Sequence, residues 1–472
     1  MNLRNSILVC SCLLIPTTVL PADNQEAWSE TTPALGTVNH LPAGKLTREQ
    51  LDALTQVGEA LFTAKFTRPD GAGRPGATQA IIPTKVRHTS EQAFARLAGP
   101  DAQACSACHN DPLIGGAGDF VTNVFVSEGF TNAHFDTSDP QFSNERGTNH
   151  LFGSGLVELL AREMSTELAT IRKRALRAAA DQQLPVKVAL ETKGVSFGHL
   201  IAMPDGLVDL QHIEGIDADL VVRPFSQKGV MTSLRQFTVN AMNHHHGMQA
   251  TERFGSRWTG ERDFDEDGHD NELGAADISA LVAWQATLRP PVTVVPEDEA
   301  WASAAITGQQ VFSDFGCNGC HIPALPLSSL VFEDPGQFDV AGTLNSDQVR
   351  ESAAYDLALL EWTKTLPRNE DGEVMVPLFG DLKRHKMTDR SIATLGNELL
   401  SQRFVGRDIF MTAELWGIGS TAPFGHRNDF TTLDEIILAH GGAGRAARDA
   451  YEDSTDDLRS ALIAYLKTLV IE

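Results

Sequence analysis

Two copies of one cysteine and histidine motif constrain this sequence more than any other feature. The motifs are C-S-A-C-H at residues 105–109 and C-N-G-C-H at residues 317–321. They contain every cysteine of the chain except Cys10 and Cys12, which lie close to its N-terminus. In a C-x-x-C-H motif the two thiols can form thioether bonds to the vinyl groups of one haem, and the adjacent histidine can ligate the iron.

The sequence therefore predicts two covalently bound c-type haems. The predicted attachment residues are Cys105, Cys108 and His109 for the first haem, and Cys317, Cys320 and His321 for the second. Redox C-x-x-C pairs and half zinc sites are the alternatives. A tetrahedral zinc site needs four ligands, and a thioredoxin-like motif does not require the following histidine.

The N-terminal segment has the features of a secretory signal peptide. Arg4 precedes an uncharged stretch, residues 6–20, that is rich in Leu, Ile and Val, and Ala22 precedes a polar sequence. We therefore expect residues 1–22 to be a signal peptide and the mature chain to be periplasmic or otherwise exported. The alternatives are a membrane anchor, for which the stretch is short, and lipid attachment at Cys12. No later segment predicts a membrane span.

Charge excludes one class of function. The chain of 472 residues has 62 acidic and 38 basic side chains, and its formal net charge is -24. Such a chain repels nucleic acid and anionic lipid and favours a cationic partner. We therefore exclude nucleic-acid binding. The oligomeric state is not indicated by the sequence.

A repeated segment predicts a mainly α protein with two cytochrome-c-like helical haem domains. G-E-A-L-F at residues 58–62 precedes the first motif, and G-Q-Q-V-F at residues 308–312 precedes the second. Strands are not prominent in the sequence. We expect a helix from Arg48 to Phe62, with Thr47 and Gln50 as its capping box, and a long helix from Leu156 to Ala180. Two further helices are expected, one capped by Asp277 and one that opens with Ser454 and Asp457.

The pair Pro290-Pro291 indicates a domain boundary. We expect an N-terminal haem domain at residues 23–292 and a C-terminal haem domain at residues 293–472.

The order of several segments resembles the bacterial di-haem cytochrome c peroxidase superfamily. These segments are G-E-A-L-F, C-S-A-C-H with the following Pro112, F-G-C-N-G-C-H-I-P, L-W-G-I-G-S-T-A-P-F-G-H and T-T-L-D-E-I-I-L-A-H-G-G. Within the superfamily the chain is most similar to the di-haem oxidoreductase family, described as peroxidases or thiol oxidoreductases. The resemblance covers nearly the whole mature chain. It departs at Met411, where relatives often have arginine. It also departs in the spacing from Cys105 to Cys317, which is wider than in ordinary di-haem peroxidases. The resemblance therefore implies an extended, largely irregular or helical insertion around residues 150–275 of the N-terminal domain.

His440 is the strongest candidate for a second axial ligand of the second haem. Thr432 and Glu435 predict a capped short helix, and His440 stands at its end before two glycines. In related di-haem peroxidases this place is taken by methionine, and in methylamine dehydrogenase maturation enzymes by tyrosine. The alternative is a histidine favoured by the helix dipole. We expect His426 to contact a haem propionate or to orient an iron ligand, rather than to ligate the iron itself.

Other distal groups remain open between several residues. Met387 and His385 lie in a segment similar to the D-L-x-x-H-x-M stretch of the family, although a solvated loop is equally consistent with it. At the first haem, His246 or Met248 is the preferred ligand. His134, His150, a surface metal site and a plain polar loop are the alternatives.

Gln249 and Glu252 are the candidate catalytic residues, because they closely follow His246 and Met248 in the sequence. A peroxidase needs an acid–base group that carries a proton between the two oxygens of bound peroxide. For Glu252 the alternative is an exposed helical glutamate.

An acidic loop predicts a third site. Asp263, Asp265 and Asp267 alternate before Gly268, and alternate carboxylates can converge on a hard cation such as Ca²⁺. Glu272 or Asp277 would have to complete the ligand set, because the loop is not a full EF-hand. An exposed acidic turn is the alternative.

The resemblance and the motifs together imply a function. We expect a di-haem oxidoreductase that reduces hydrogen peroxide to water with electrons from a small cytochrome or cupredoxin. A non-enzymatic di-haem electron carrier and a di-haem oxidative modifier or oxygenase are the alternatives. The residues Trp258, Trp284 and Trp301 are candidates for electronic coupling between the haems, with a buried core position as the other interpretation of each.

Overall fold

The computed structural model describes residues 40–77, 83–85, 87, 102–125, 143–398 and 401–472, together with residues 30 and 38. The predicted signal peptide at residues 1–22 and the alternative ligand His134 lie outside the described residues. Within them, no helix is long and apolar enough to cross a bilayer.

The helices of the described residues are distributed along the whole chain. They are α1 Arg48–Thr63, α2 Ser154–Gln182, α3 Leu234–Ala241, α4 Thr251–Phe254, α5 Ser256–Thr259, α6 Ala275–Thr287, α7 Glu299–Asp314, α8 Leu433–Leu438, α9 Arg445–Glu452 and α10 Asp456–Leu466. A π-turn at Met242–His246 continues α3.

The strands are mostly short. They are β1 Gly44–Lys45, β2 Gly118–Phe125, β3 Ser143–Thr148, β4 Val186–Thr192, β5 Val195–Ala202, β6 Val208–Asp209, β7 Val292–Thr293, β8 Leu325–Leu327, β9 Val331–Asp334, β10 Ala353–Asp356, β11 Val374–Val376, β12 Arg384–Lys386, β13 Ile409–Met411 and β14 Leu469–Val470. They form two three-stranded sheets, β1-β10-β9 and β4-β5-β6, and four two-stranded ones.

The prediction of a mainly α fold of two helical cytochrome-c-like domains is therefore wrong. The described residues are 38% helical and 17% strand, so the fold is mixed α and β. Most of the strands have only two to four residues, which is too short for the alternation of apolar and polar residues that identifies a strand in a sequence. The predicted insertion contains the long helix α2 and also the antiparallel sheet β4-β5-β6, which the sequence analysis did not predict.

The individual helix predictions are confirmed in position and corrected at two caps. Helix α1 has the predicted capping box of Thr47 and Gln50, and α2 spans the predicted long helix. Helix α6 begins earlier than expected, with Gly274 as its cap, and Asp277 accepts a hydrogen bond from the Gly274 N–H. Helix α10 is capped by the Thr455 side chain rather than by Ser454 or Asp457.

The repeated segment has the same packing role in both halves of the chain. Helix α1 packs against α6, and α7 packs against α10. A side chain at Gly58 would overlap the backbone carbonyl of Ala280, and one at Gly308 would overlap that of Ala461. Each glycine therefore allows two helices to approach closely, and each precedes the C-x-x-C-H motif of its own half.

Substitution of Gly308 tests this close approach. Gly308→Ala should lower the free energy of unfolding by about 1–3 kcal/mol, because the added methyl group has no space against the α10 backbone. Urea unfolding of both variants measures the effect. The control is Gly319→Ala, where a Cβ meets no atom within 4 Å and where the first motif has Ala107 at the equivalent position. Equal stability of the two variants would contradict the expectation.

A single connected apolar core extends through both halves of the chain. Strand β1 pairs with β10, and β14 pairs with β7, so segments distant in sequence complete each other's sheets. The predicted boundary between residues 292 and 293 falls inside β7. The division into two domains stays a prediction.

Candidate haem-binding cavity

Both C-x-x-C-H motifs line the same cavity, although they are far apart in the sequence. The cavity has a volume of about 560 Å³, and its wall is largely hydrophobic. All six predicted attachment residues line it: Cys105, Cys108, His109, Cys317, Cys320 and His321. The fold therefore brings together the two groups of residues that the sequence analysis assigned to separate haems.

The first motif forms a tight turn after α1. Residues Cys105–Ala107 make one 3₁₀ turn, and the His109 N–H donates to the Cys105 carbonyl at 3.0 Å. The His109 Nδ1 lies 3.3 Å from the Gly116 carbonyl oxygen. Burial lowers the pKa of His109 to about 4, so its ring is neutral at physiological pH.

The second motif repeats this geometry after α7. Residues Cys317–Gly319 make a 3₁₀ turn, and the His321 N–H donates to the Cys317 carbonyl at 3.0 Å. The His321 Nδ1 lies 3.3 Å from the Phe379 carbonyl oxygen. Burial, together with the nearby His440, lowers the pKa of His321 to about 4.

These two arrangements fit the proximal side of a c-type haem. In both histidines the backbone carbonyl occupies Nδ1, which leaves the neutral Nε2 to bind a metal, as is usual for metal-ligating histidines. No disulfide joins the four described cysteines. Burial raises the pKa of Cys105 to about 12 and that of Cys317 to about 11, so both remain thiols in the apo chain.

The structure places His440 at the predicted helix end and in the cavity wall. Helix α8 has the predicted capping box of Thr432 and Glu435. The His440 Nδ1 lies 2.8 Å from the Ile436 carbonyl oxygen, and burial lowers the pKa of His440. Its Nε2 is thus the nitrogen left for a ligand bond. The role of His440 as an axial ligand stays a prediction.

Met387 and His385 also line the cavity. Met387 packs against Leu395, Phe410 and Ala439. The His385 Nε2 lies 2.7 Å from Asp381 Oδ2. Burial opposes the charged form of His385, but the contacts with Asp381 and Cys320 outweigh it and raise its pKa to about 9. Because Asp381 already occupies Nε2, His385 is less available to an iron than His440.

The two candidates at the first haem are in different environments. His246 lines the cavity, with its Nε2 3.2 Å from Cys105 Sγ and its Nδ1 2.7 Å from the Ala102 carbonyl oxygen. Met248 is fully buried in the core and does not line the cavity. The alternative His150 lines the cavity, and its Nε2 lies 3.0 Å from the Trp416 carbonyl oxygen.

Gln249 and Glu252 lie outside the cavity wall. The Gln249 N–H donates to Glu272 Oε2 at 2.6 Å. The two Glu252 oxygens accept bonds of 3.0 and 2.9 Å from the buried Arg235 guanidinium. Their assignment as catalytic residues stays a prediction that the geometry does not support.

The acidic loop brings three carboxylates together, as the alternation predicts. Ligand oxygens of Asp263, Asp265 and Asp267 lie within 4.8 Å of one another. Asp265 is fully buried, and neither of its carboxylate oxygens has a hydrogen-bond partner among the described residues. Burial and the charges of Asp267 and Asp263 raise the pKa of Asp265 to about 8. Burial and the charges of Asp265, Asp267 and Asp263 raise the pKa of Glu272 well above its ordinary value.

Several cavity residues were not identified from the sequence. They are Arg146, Gln402, Glu414 and Trp416. Burial raises the pKa of Glu414 to about 7, so this carboxyl group can hold or release a proton at neutral pH. The signal for Trp416 was its place in the L-W-G-I-G segment of the resemblance, whereas no pattern marks Arg146, which lies on β3.

The three tryptophans selected from the sequence do not line the cavity. Trp284 is buried and packs on Phe62 with a ring-centroid distance of 4.2 Å. Trp258 and Trp301 are exposed. The geometry therefore favours the core interpretation for Trp284 and gives none of the three a place between the motifs.

Comparisons with known proteins do not identify a family. No protein-family model matches the chain, and no curated protein matches its sequence. Among solved structures, the chain is similar to the hydrazine synthase of Kuenenia stuttgartiensis, with 13% identity and a TM-score of 0.39 over 98% of this chain and 100% of that one. It is also similar to a MauG-like protein associated with microbial copper homeostasis, with 15% identity and a TM-score of 0.28 over 56% of this chain and 77% of that one. At these TM-scores neither similarity identifies the fold or the family.

Proposed function

We propose that this chain is an exported di-haem c-type cytochrome oxidoreductase that reduces hydrogen peroxide to water. The observation that carries the proposal is the shared cavity, in which each motif presents two thiols and a neutral histidine with Nδ1 held by a backbone carbonyl. When bound, c-type haem supplies an iron that exchanges single electrons and binds oxygen ligands. Two such groups in one cavity suit a two-electron reduction.

The residues of the chain supply attachment, orientation and proton transfer. Cys105, Cys108, Cys317 and Cys320 would hold the two haems, and His109 and His321 would ligate the irons. Glu414 lines the cavity in a form that can donate or accept a proton at neutral pH. The acidic surface charge of the chain favours a basic electron donor, such as a small cytochrome or a cupredoxin, because complementary fields raise association rates.

The test combines attachment with turnover. We expect the denatured mature protein to have the mass of the polypeptide plus two haems, and the reduced holoprotein to consume hydrogen peroxide with a reduced donor in a ratio of two electrons per peroxide. A protein with two haems but without peroxide consumption would instead support the electron-carrier alternative. Absence of covalent haem would contradict the whole proposal.

His440 determines whether the second haem iron would have one or two protein ligands. We expect His440→Ala to convert a low-spin haem to high spin, because the substitution removes the nitrogen that is proposed to ligate the second iron. The visible and EPR spectra of the holoprotein measure this change. His385→Ala is the matched control, since His385 lines the same cavity but is engaged with Asp381. An unchanged spectrum in His440→Ala would remove His440 as a ligand.

We further propose that the acidic loop binds Ca²⁺. Three converging carboxylates, one of them buried with both oxygens unpartnered among the described residues, form a set of hard oxygen donors. Glu272 lies close enough for their charges to act on it, and it accepts the Gln249 N–H. The cation would therefore stabilise the segment that follows the histidine run of the first haem.

Asp265→Asn tests the cation site. The variant should bind Ca²⁺ at least about tenfold more weakly, because a buried charged ligand is lost. Titration of chelator-treated holoprotein with CaCl₂ in a calorimeter measures the affinity. The control is Asp270→Asn, an exposed carboxylate of the same loop that pairs with Arg262. Equal affinities in both variants, or no binding by the unmodified protein, would contradict the proposal.

A further inference from the structure

Arg146, Gln402 and His426 form a cationic corner of the cavity. All three side chains are more than nine-tenths buried, and all three line the cavity. Among the described residues, Arg146 Nη2, His426 Nε2 and Gln402 Oε1 have no hydrogen-bond partner. Buried polar groups are rarely left in this state, because each one loses the hydrogen bonds that it makes to water.

Glu398 stands behind the corner as a shared counter-charge. It is fully buried, with Oε1 2.5 Å from Arg146 Nη1 and Oε2 3.1 Å from Lys228 Nζ. The charge of Asp408 also acts on Lys228. His426 does not add a charge, because burial and the neighbouring cations, chiefly Arg146, lower its pKa to about 2. Arg146 is thus a buried cation that shares its carboxylate partner and has an unpartnered donor among the described residues, which is costly in a protein interior.

Arg146 and His426 lie close together. Arg146 Nη1 and His426 Nε2 lie 2.5 and 3.5 Å from the same oxygen, Glu398 Oε1. A distance of 3.5 Å is too long for a good hydrogen bond, and Arg146 Nη2 is the guanidinium donor that has no partner among the described residues. The Lys228 Nζ donates to three backbone carbonyls, and the Phe410 ring packs on His426 at a tilt of 33° with a centroid distance of 4.3 Å.

We propose that this corner binds a carboxylate, which accepts hydrogen bonds from Arg146 and His426. Planar guanidinium and imidazole donors suit the two oxygens of a carboxylate. The carboxylate belongs either to a propionate of a bound haem or to a small anionic molecule that enters the cavity. The first source rests on the proposed function, whereas the second does not require it.

The experiment uses the holoprotein, the variants Arg146→Gln and His426→Phe, and the control Arg427→Gln. In Arg146→Gln, Lys228 and Glu398 remain as an oppositely charged pair. In His426→Phe, the aromatic ring still packs on Phe410. Arg427 does not line the cavity and pairs with Glu145. Denatured masses establish the haem content, spectroelectrochemistry gives the reduction potentials, and calorimetry with sodium formate gives the affinity for a free carboxylate.

A propionate source predicts that Arg146→Gln lowers the reduction potential of one haem, that Arg427→Gln does not, and that formate has no effect. A free carboxylate source predicts saturable formate binding that weakens at least tenfold in both Arg146→Gln and His426→Phe. Unchanged potentials in both corner variants, together with no formate binding, would overturn the proposal. If the unmodified protein carries no haem, the proposed function fails separately, and the formate titration alone decides the corner.

Discussion

Replacing Arg235 with methionine should lower the free energy of unfolding by about 3–5 kcal/mol, the cost of breaking a buried ion pair from one side. Arg235 is buried on α3. Its guanidinium bonds both oxygens of Glu252 at 3.0 and 2.9 Å and both oxygens of Asp334 at 2.9 Å. Methionine preserves much of the side-chain volume but leaves two carboxylates without their cation.

The effect should be large because the other hydrogen-bond donors to the two carboxylates are neutral. Ser279 and Tyr355 donate to Asp334 at 2.6 and 3.2 Å, but both are neutral hydroxyl groups. Unfolding in urea, followed by circular dichroism, measures the loss. The control is Arg48→Met, which breaks a partly exposed pair with Asp52 and should cost less than about 1 kcal/mol. Similar losses of unfolding free energy in the two variants would contradict the expectation that the buried ion pairs of Arg235 stabilise the fold.

The ion pair with Arg235 also explains why the geometry does not support the catalytic role that the sequence suggested for Glu252. The residue follows the histidine run closely, as an acid–base group near a haem would. In the structure, however, its carboxylate is directed at Arg235 and connects α4 to α3, rather than to the cavity. Position in the sequence indicated proximity to the site, but the partner of a side chain depends on tertiary packing.

The helices were predictable where local signals are strong. The capping box of Thr47 and Gln50, the apolar stripe of α2 and the helix before His440 all have patterns confined to a few neighbouring residues. The hairpin of β4 and β5 also had such a signal, since the larger apolar residues Val186, Val188 and Leu190 occupy alternate positions before a Lys193-Gly194 turn in which both φ values are positive. The mainly α interpretation overlooked it.

The other strands had no comparable signal. Strands β1 and β10, for example, pair over only two residue positions that are more than three hundred residues apart. Such pairing is decided by the packing of the whole chain. The same reason applies to the cationic corner, because Arg146, Lys228, Glu398 and His426 come from four separate segments, and only the fold brings them together.

The haem motifs are the opposite case, because their chemistry is contained in five consecutive residues. Replacing Cys317 and Cys320 with serine should remove one covalent haem completely, since a serine hydroxyl does not form the thioether bond. The mass of the denatured protein should then show one haem instead of two. The spectral change that His440→Ala produces should disappear from this variant, because the second haem is the one that His440 is proposed to ligate.

The reciprocal variant, with Cys105 and Cys108 replaced by serine, is the matched control. It should also lose one haem, but it should keep the response to His440→Ala. The two motifs share one cavity, so noncovalent haem could remain in either variant, and denaturation before mass analysis separates attachment from binding. Two haems in both variants would show that the thiols are not the attachment sites. Loss of both haems in either variant would show that the two halves of the cavity are assembled together, in which case the single core that extends through the chain couples the attachment of one haem to that of the other.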